Sequence, residues 1–381
     1  MQTPRTPTTG TPNAEAGPDP RIHRDNHVRR RSVTRPRSLL ALVAAGALVL
    51  AGCTSGGGSI DEPGAEPDPA EQDTQPGAET DPVELTIGLT YIPDVQFAPF
   101  YLAQEAGYFE EAGLAVELRH HGASESLFGA LEAGEEDVVV SGNDEILQAV
   151  SHDTEVRSFA TMYQDYPVQI FVPDDSDIEQ VGDLAGRSLG VPGPFGQSWF
   201  GLLGYLDQAG LDEGEVQVEH VGFTLFNALS EGHVDAVTGF VTADTAAFAI
   251  GGFPVRTIAD SEALPLVSVG LGASDEWLAE HPEAASGIID AVGRAVEDIR
   301  SDPQVAVEAA REHIPGTMTD DDEAAALLTA EAMVDLYGTA QFGTQDSRAW
   351  EEMADFMEQM DLLDRPVSAD EAYTDEFTDE Q

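Results

Sequence analysis

The sequence predicts an α/β protein made of two α/β lobes around a ligand cleft, followed by a helical C-terminal region. Two observations carry this reading. From Leu85 to about Leu363, short apolar or β-branched runs alternate with segments of helical period, as expected for mainly parallel sheets covered by helices. One unit (helix end, glycine, aspartate, buried strand) also occurs twice in the chain.

The expected strands are Leu85–Leu89, Ala115–Leu118, Val138–Ser141, Val156–Ala160, Ser188–Val191, Val216–His220, Ala236–Gly239 and Val267–Leu271. Each is a short run suited to a covered sheet. Helical period marks Phe97–Ala112, Ser124–Ala133, Gln197–Ala209 and Leu225–Glu231. Beyond these, Pro282–Arg300, Pro303–His313, Asp320–Tyr337 and Ser347–Leu362 read as helices with no strand between them. The repeated unit is Ala130-Leu131 through Gly134 and Asp137 into Val138, matched by Ala228-Leu229 through Gly232 and Asp235 into Ala236. Each copy ends a helix on a glycine suited to a left-handed cap. Both glycine-ended strands, closing at Gly142 and Gly239, would deliver loops to one cleft off the strands' carboxyl ends. Coincidence between two ordinary helix–strand joints is the alternative.

The N-terminus reads as an export signal. Seven arginines lie between Arg21 and Arg37, followed by 12 apolar residues, Leu39–Leu50, and then Ala51-Gly52-Cys53. A bilayer span needs about 20 apolar residues, so the run is short for one. Leu50-Ala51-Gly52-Cys53 resembles the bacterial lipobox, which makes Cys53 the expected site of lipid attachment on the outer face of the cell membrane. An uncleaved membrane helix with an incidental cysteine is the alternative. Arg30-Arg31 leaves open whether export uses the general or the twin-arginine route. Cys53 is the only cysteine, so disulfides and cysteine-based metal sites are not expected.

Residues 53–381 hold nine arginines, no lysine and 68 carboxylates, a formal balance of −59. That charge argues against nucleic acid or an anionic lipid surface as partner. Because the acids are spread along the whole chain, they read as adaptation to high salt, or to alkali, rather than as a binding device. The expected divisions are a lipoprotein signal at 1–52, a disordered acidic Pro/Gly-rich tether at 53–83, the first part of lobe 1 at 84–170, lobe 2 at 171–262, a return to lobe 1 with the C-terminal helices at 263–365, and an acidic tail at 366–381.

Pro93-Asp94-Val95-Gln96-Phe97-Ala98-Pro99-Phe100-Tyr101-Leu102-Ala103 followed by Gly107-Tyr108-Phe109-Glu110-Glu111-Ala112-Gly113-Leu114 resembles the opening of periplasmic solute-binding proteins. The branch is the one serving sulfonate, taurine, nitrate and thiamine-precursor pyrimidine importers. Asp183-Leu184-Ala185-Gly186-Arg187 and the two copies of the repeated unit continue the pattern in order, from about 85 to 315, with a weaker echo at Tyr373–Phe377. The resemblance implies a type II periplasmic binding protein fold with two crossovers and closure around a solute. It also implies an ABC permease and its ATPase as partners, and a monomer is expected.

Within that resemblance, ligand contacts come from four loops. The first holds Tyr91, Asp94, Gln96 and Phe97; the second holds Ser141, Asn143 and Asp144. The third holds Phe195, Gly196, Gln197 and Ser198, and the fourth Phe240, Thr242 and Asp244, with Tyr163 and Tyr166 near the crossover. Phe195 and Phe240 are the preferred stacking pair. None of the loops contains arginine or lysine, whereas Asp94, Asp144 and Asp244 suit a ligand that presents N–H groups. The expected solute is therefore a thiamine-precursor-like pyrimidine or a similar nitrogen heterocycle, with sulfonate, taurine or nitrate as the alternative. Helix capping is the competing role for Asn143 and Asp144, and turn organisation for Asp94 and Gln96. Thr242-Ala243-Asp244 stands where many pyrimidine-binding relatives have an Asn-Glu pair, and the resemblance gives Asp244 the glutamate's role with a shorter arm, or a pocket that serves another solute.

No enzyme, metal or cofactor is expected. Fungal pyrimidine synthases share the implied fold but use a cysteine-rich stretch, absent here. His120 and His121 are adjacent, so on a strand they point to opposite faces. No nucleophile elbow, Walker loop or zinc-protease motif occurs. A ligand-sensing module that does not feed a transporter is the remaining alternative.

Overall fold

A computed structural model describes residues 81–122, 125–259, 261, 264–316 and 318–378. The signal segment, Cys53 and nearly all of the tether lie outside these residues. The first sheet contains β1 (Val83–Leu89), β2 (Leu114–His120), β3 (Val138–Gly142), β4 (Arg157–Thr161) and β10 (Val269–Ala273) in the order β2-β1-β3-β10-β4. The second contains β5 (Val168–Pro173), β6 (Ser188–Val191), β7 (Gln217–His220), β8 (Ala236–Phe240) and β9 (Val255–Thr257) in the order β7-β6-β8-β5-β9. The chain passes from one sheet to the other between β4 and β5 and returns between β9 and β10.

Two expectations are corrected. The sheets are mixed rather than mainly parallel: β10 runs antiparallel to both β3 and β4, and β5 antiparallel to both β8 and β9. The strands that produce this in the second lobe, β5 and β9, are absent from the sequence-based set. Val168–Pro173 starts just after Pro167 and ends on Pro173, prolines that punctuate like loop residues, and Val255–Thr257 is only three residues long. β5 also straddles the 170/171 boundary drawn from sequence.

The repeated unit has a common hydrogen-bonding plan. Gly134 and Gly232 both adopt left-handed φ, 66° and 68°, where a side chain would be strained. Asp137 N–H donates to Thr86 O (3.0 Å) and its carboxylate accepts from Thr86 N–H (2.8 Å). Asp235 does the same with Ser188, at 3.0 and 2.9 Å. Each aspartate thus pins the start of its strand to the neighbouring parallel strand, β1 or β6. Asp137→Ala is expected to cost about 1 kcal/mol through the unmet Thr86 N–H, lowering the melting temperature by about 2–4 °C. An unchanged melting temperature would show that the pin is dispensable.

Among the helices, α1 (Ala98–Glu105) and α2 (Tyr108–Glu111) replace the single expected helix 97–112. α3 (Gly129–Glu132) and α4 (Asn143–Ser151) follow in lobe 1, then α5 (Gly196–Ala209), α6 (Leu225–Ser230) and α7 (Ala243–Ile250) in lobe 2. α8 (Asp275–Glu280), α9 (Pro282–Ser301), α10 (Gln304–His313), α11 (Asp320–Leu336), α12 (Ser347–Gln359) and α13 (Ala369–Ala372) complete the chain. One apolar core joins the first sheet to α1, α9, α10 and α11. A second spans both lobes, gathering Val139 and Ile146 with Val168, Leu189 and Phe200, and closing over Trp350 and Met357 of α12. A third, smaller core lies under α6 and α7. Residues 366–378, set apart in the sequence as a tail, join the second core: Val367, Ala369 and Ala372 are buried, and Tyr373 stacks on Trp350 at 5.0 Å.

Candidate functional site

The cleft edge of lobe 1 is built from the ends of β1, β3 and β4 and the start of β10. Thr90 Oγ1 donates to Val140 O (2.5 Å), tying the loop after β1 to the end of β3. Beyond it Tyr91 is exposed and Ile92 more so. His120 bonds Tyr91 O through Nδ1 (3.0 Å) and the Tyr101 hydroxyl through Nε2 (2.9 Å), and Tyr101 stacks flat on His313 at 4.0 Å. Burial holds His120 below its ordinary pKa. Asp94 caps a short 3-10 turn by accepting Gln96 N–H (3.0 Å), and burial raises its carboxyl above the usual range. Gln96 is half-buried, whereas Phe97 is buried in the lobe-1 core with its edge to His120.

The lobes meet where α4 and α5 begin. Asp144 is fully buried; its carboxylate accepts Glu145 N–H (2.8 Å) and the Tyr166 hydroxyl (2.5 Å), and burial pushes its pKa well up. Glu145 caps the same helix by accepting Gly142 N–H (3.1 Å), and burial raises it to about 7. The Tyr166 hydroxyl also lies 3.0 Å from Gln197 O of lobe 2. One hydroxyl proton therefore serves two acceptors, one in each lobe. Asn143 Nδ2 donates to Thr161 Oγ1 (3.1 Å). Gly196 opens α5 beside Glu145, and Gln197 and Ser198 are buried in its first turn.

In lobe 2, Phe195 and Phe223 stand out at 59 % and 69 % exposure, while Phe240 is half-buried. Asp244 folds back to accept Phe240 N–H (2.8 Å), and burial raises its pKa to about 6. Thr242 is buried, and its carbonyl accepts the Thr329 hydroxyl of α11 (3.2 Å). Tyr91 and Phe223 face each other from opposite lobes, their ring centroids 6.4 Å apart. The Tyr91 hydroxyl is raised first by burial and then by the charges of Asp94 and Asp244. Charge from both lobes therefore acts on this hydroxyl.

The proposed contact residues thus separate by position. Tyr91, Asp94, Phe195, Phe240 and Asp244 line strand ends of the two lobes, whereas Phe97 lies in core and Tyr166 is engaged by Asp144. Each aspartate accepts a nearby backbone N–H, and at Asp94 this is the turn-organising role given as its alternative. Tyr163 is buried against Tyr337 (5.4 Å), with Asp94 near enough to raise its hydroxyl further. Sequence reasoning missed Phe223 and Glu145. Phe223 follows the end of β7 as Phe195 follows β6, so the strand-end rule applied to β7 would have found it. No group of three or more metal-ligating side chains occurs among the described residues.

Residues 94–306 match the profile of the family described as NMT1/THI5 like. A riboflavin-binding protein of Chloroflexus aurantiacus, RibY, is 28 % identical over 77 % of this chain and 86 % of its own length. A formylaminopyrimidine-binding protein of Halalkalibacterium halodurans is 23 % identical over 75 % of this chain and 88 % of its own. A 4-amino-5-hydroxymethyl-2-methylpyrimidine phosphate synthase of Aspergillus parasiticus is 23 % identical over 55 % of this chain and 65 % of its own. In fold, the chain is similar to the periplasmic aliphatic sulphonate binding protein SsuA of Escherichia coli, with a TM-score of 0.64 and 18 % identity, over 76 % of this chain and 96 % of that one.

Proposed function

Because the chain belongs to the NMT1/THI5-like family, we propose that it is the solute-binding component of an ABC importer, that it takes a planar nitrogen heterocycle of the flavin type, and that it does no chemistry on it. The observation that carries this is the cleft mouth. Tyr91, Phe195 and Phe223 are exposed at strand ends of the two lobes, while Asp94 and Asp244, from opposite lobes, both bear on the Tyr91 hydroxyl. Aromatic faces stack on a fused ring, and carboxylates accept from its ring N–H groups. The riboflavin-binding relative supports a flavin, and the formylaminopyrimidine-binding relative supports a single-ring pyrimidine as the second reading. Contacts with both lobes would favour the closed form by their differential free energy, and docking to the permease would reopen it.

Tyr91→Ala and Phe223→Ala are each expected to weaken riboflavin binding about tenfold, since a stacking contact contributes about 0.5–1.5 kcal/mol beyond its buried area. The empty protein should melt as before. Titration calorimetry showing unchanged affinity in both variants would remove the aromatic mouth from the account. Export and anchoring through Cys53 complete the proposal. Cys53→Ser should yield a soluble protein that takes up no labelled fatty acid, and retention on washed membranes would refute the anchor.

A further inference from the structure

Below the aromatic mouth, the floor of the cleft carries polar atoms that nothing among the described residues satisfies. Ser141 Oγ, Asn143 Oδ1, Tyr163 OH, Ser268 Oγ and Gln197 Nε2 are buried without a hydrogen-bond partner among the described residues, and none of these residues is more than 6 % exposed. They belong to one neighbourhood. Ser141 pairs with Gly270 across β3 and β10. Asn143 N–H donates to Ser268 O (3.0 Å), and the Asn143 amide lies over Gly270. Tyr163 N–H donates to Val269 O (3.3 Å), and the Gln197 side chain, arriving from lobe 2, packs on Gly142. The floor adjoins the mouth through the Thr90–Val140 bond.

The chemistry of this group is neutral and mixed. Three hydroxyls both donate and accept, the amide nitrogen only donates, and the amide oxygen only accepts. The nearby Asp144 carboxylate is occupied by Tyr166 and Glu145 N–H. A sulfonate or carboxylate, being acceptor only, would leave Asn143 Oδ1 unmet. An ammonium, being donor only, would leave Gln197 Nε2 unmet. A row of alcohol groups meets both, because each alcohol donates one bond and accepts others. Leaving such groups unpaired in the closed form is costly, so a solute that satisfies them gains selectivity over one that does not.

Resting on the heterocycle reading above, we infer that this floor is a subsite for the hydroxyl groups of an uncharged chain attached to the ring, so that the preferred solute is a ring bearing a polyol rather than a bare ring. The test is titration calorimetry with riboflavin, which carries a hydroxylated chain, and lumiflavin, the same ring system with a methyl group in its place. The purified protein should bind riboflavin at least thirtyfold more tightly than lumiflavin. Ser268→Ala and Ser141→Ala should each cut that ratio about fivefold, with melting curves confirming that both variants fold. Equal affinity for the two flavins, or a ratio unmoved in both variants, would overturn the subsite while leaving the heterocycle reading in place. Binding of an aminopyrimidine alone would do the same. Binding of no flavin and no pyrimidine would overturn both.

Discussion

Gly270→Ala is expected to cost about 3 kcal/mol of stability and most of the ligand affinity. A Cβ built on Gly270 would lie 2.4 Å from Ala160 O and 2.6–2.7 Å from the Asn143 amide atoms. The first contact is backbone of β4, which has no rotamer to escape into, and β10 is held on both sides by β3 and β4. Overpacking of this kind costs about 1–3 kcal/mol and sometimes more, and 3 kcal/mol is equivalent to roughly 6–12 °C in melting temperature at this chain length. The second contact displaces Asn143 and with it a cleft group. Gly214→Ala, where no atom approaches within 4 Å, is the control and should melt within about 1 °C of the parent. Near-native melting and affinity in Gly270→Ala would mean that the packing of β10 on β4 is looser than described.

Raising the pH from 5 to 8 in molar salt should destabilise the protein by several kcal/mol. Burial lifts Asp244 to about 6 and Glu145 to about 7, and lifts Asp144 in the same direction. Their unfolded values are those of ordinary carboxylates, near 4. The folded state therefore holds these protons to higher pH than the unfolded chain does. The stability they contribute is fully present below about pH 4 and is lost as the pH passes through 6 and 7. From pH 5 upward, at about 1.4 kcal/mol per unit, Asp244 and Glu145 together account for a loss on the order of 4 kcal/mol. Exposed carboxylates lowered by backbone N–H groups, among them Asp183, Asp235 and Asp322, oppose this only at lower pH. Molar salt screens the surface repulsion of so acidic a chain, so the slope reports the buried groups. Glu145→Gln retains an oxygen for Gly142 N–H and should flatten the urea-midpoint profile near pH 7. A parent midpoint that is level or rises from pH 5 to 8 would contradict the buried-acid account.

Much of the fold was legible because it rests on local rules. Val138–Ser141 and Ala236–Gly239 read as buried strands from their own residues, each one residue short of the observed strand, and Gly134 with Asp137, like Gly232 with Asp235, signalled the joint before each one. What stayed hidden depends on partners distant in sequence. β5 looks like a Pro-bounded loop until β8 and β9 pair with it, and the antiparallel β10 is set by where the chain returns, not by its composition. The site divides in the same way. Strand-end placement put Tyr91, Asp94, Phe195 and Asp244 where the structure has them, beyond strand ends of the two lobes. It did not reveal that Tyr166 is held by Asp144, 22 residues away, or that Phe97 turns into the core against His120. Phe223 was passed over although the rule that selected Phe195 applies to it.

Two lobes that close on a neutral nitrogen heterocycle for import should bind one in solution. Titration calorimetry of the purified protein in molar salt at pH 7, with riboflavin, a formylaminopyrimidine and an alkanesulfonate in parallel, tests it most directly. The account predicts saturable one-to-one binding of a heterocycle, riboflavin the tighter of the two, and no heat from the sulfonate. Tight binding of the sulfonate with neither heterocycle bound would contradict it, and would mean that backbone N–H groups at the helix starts, rather than the aromatic mouth and its carboxylates, select the solute.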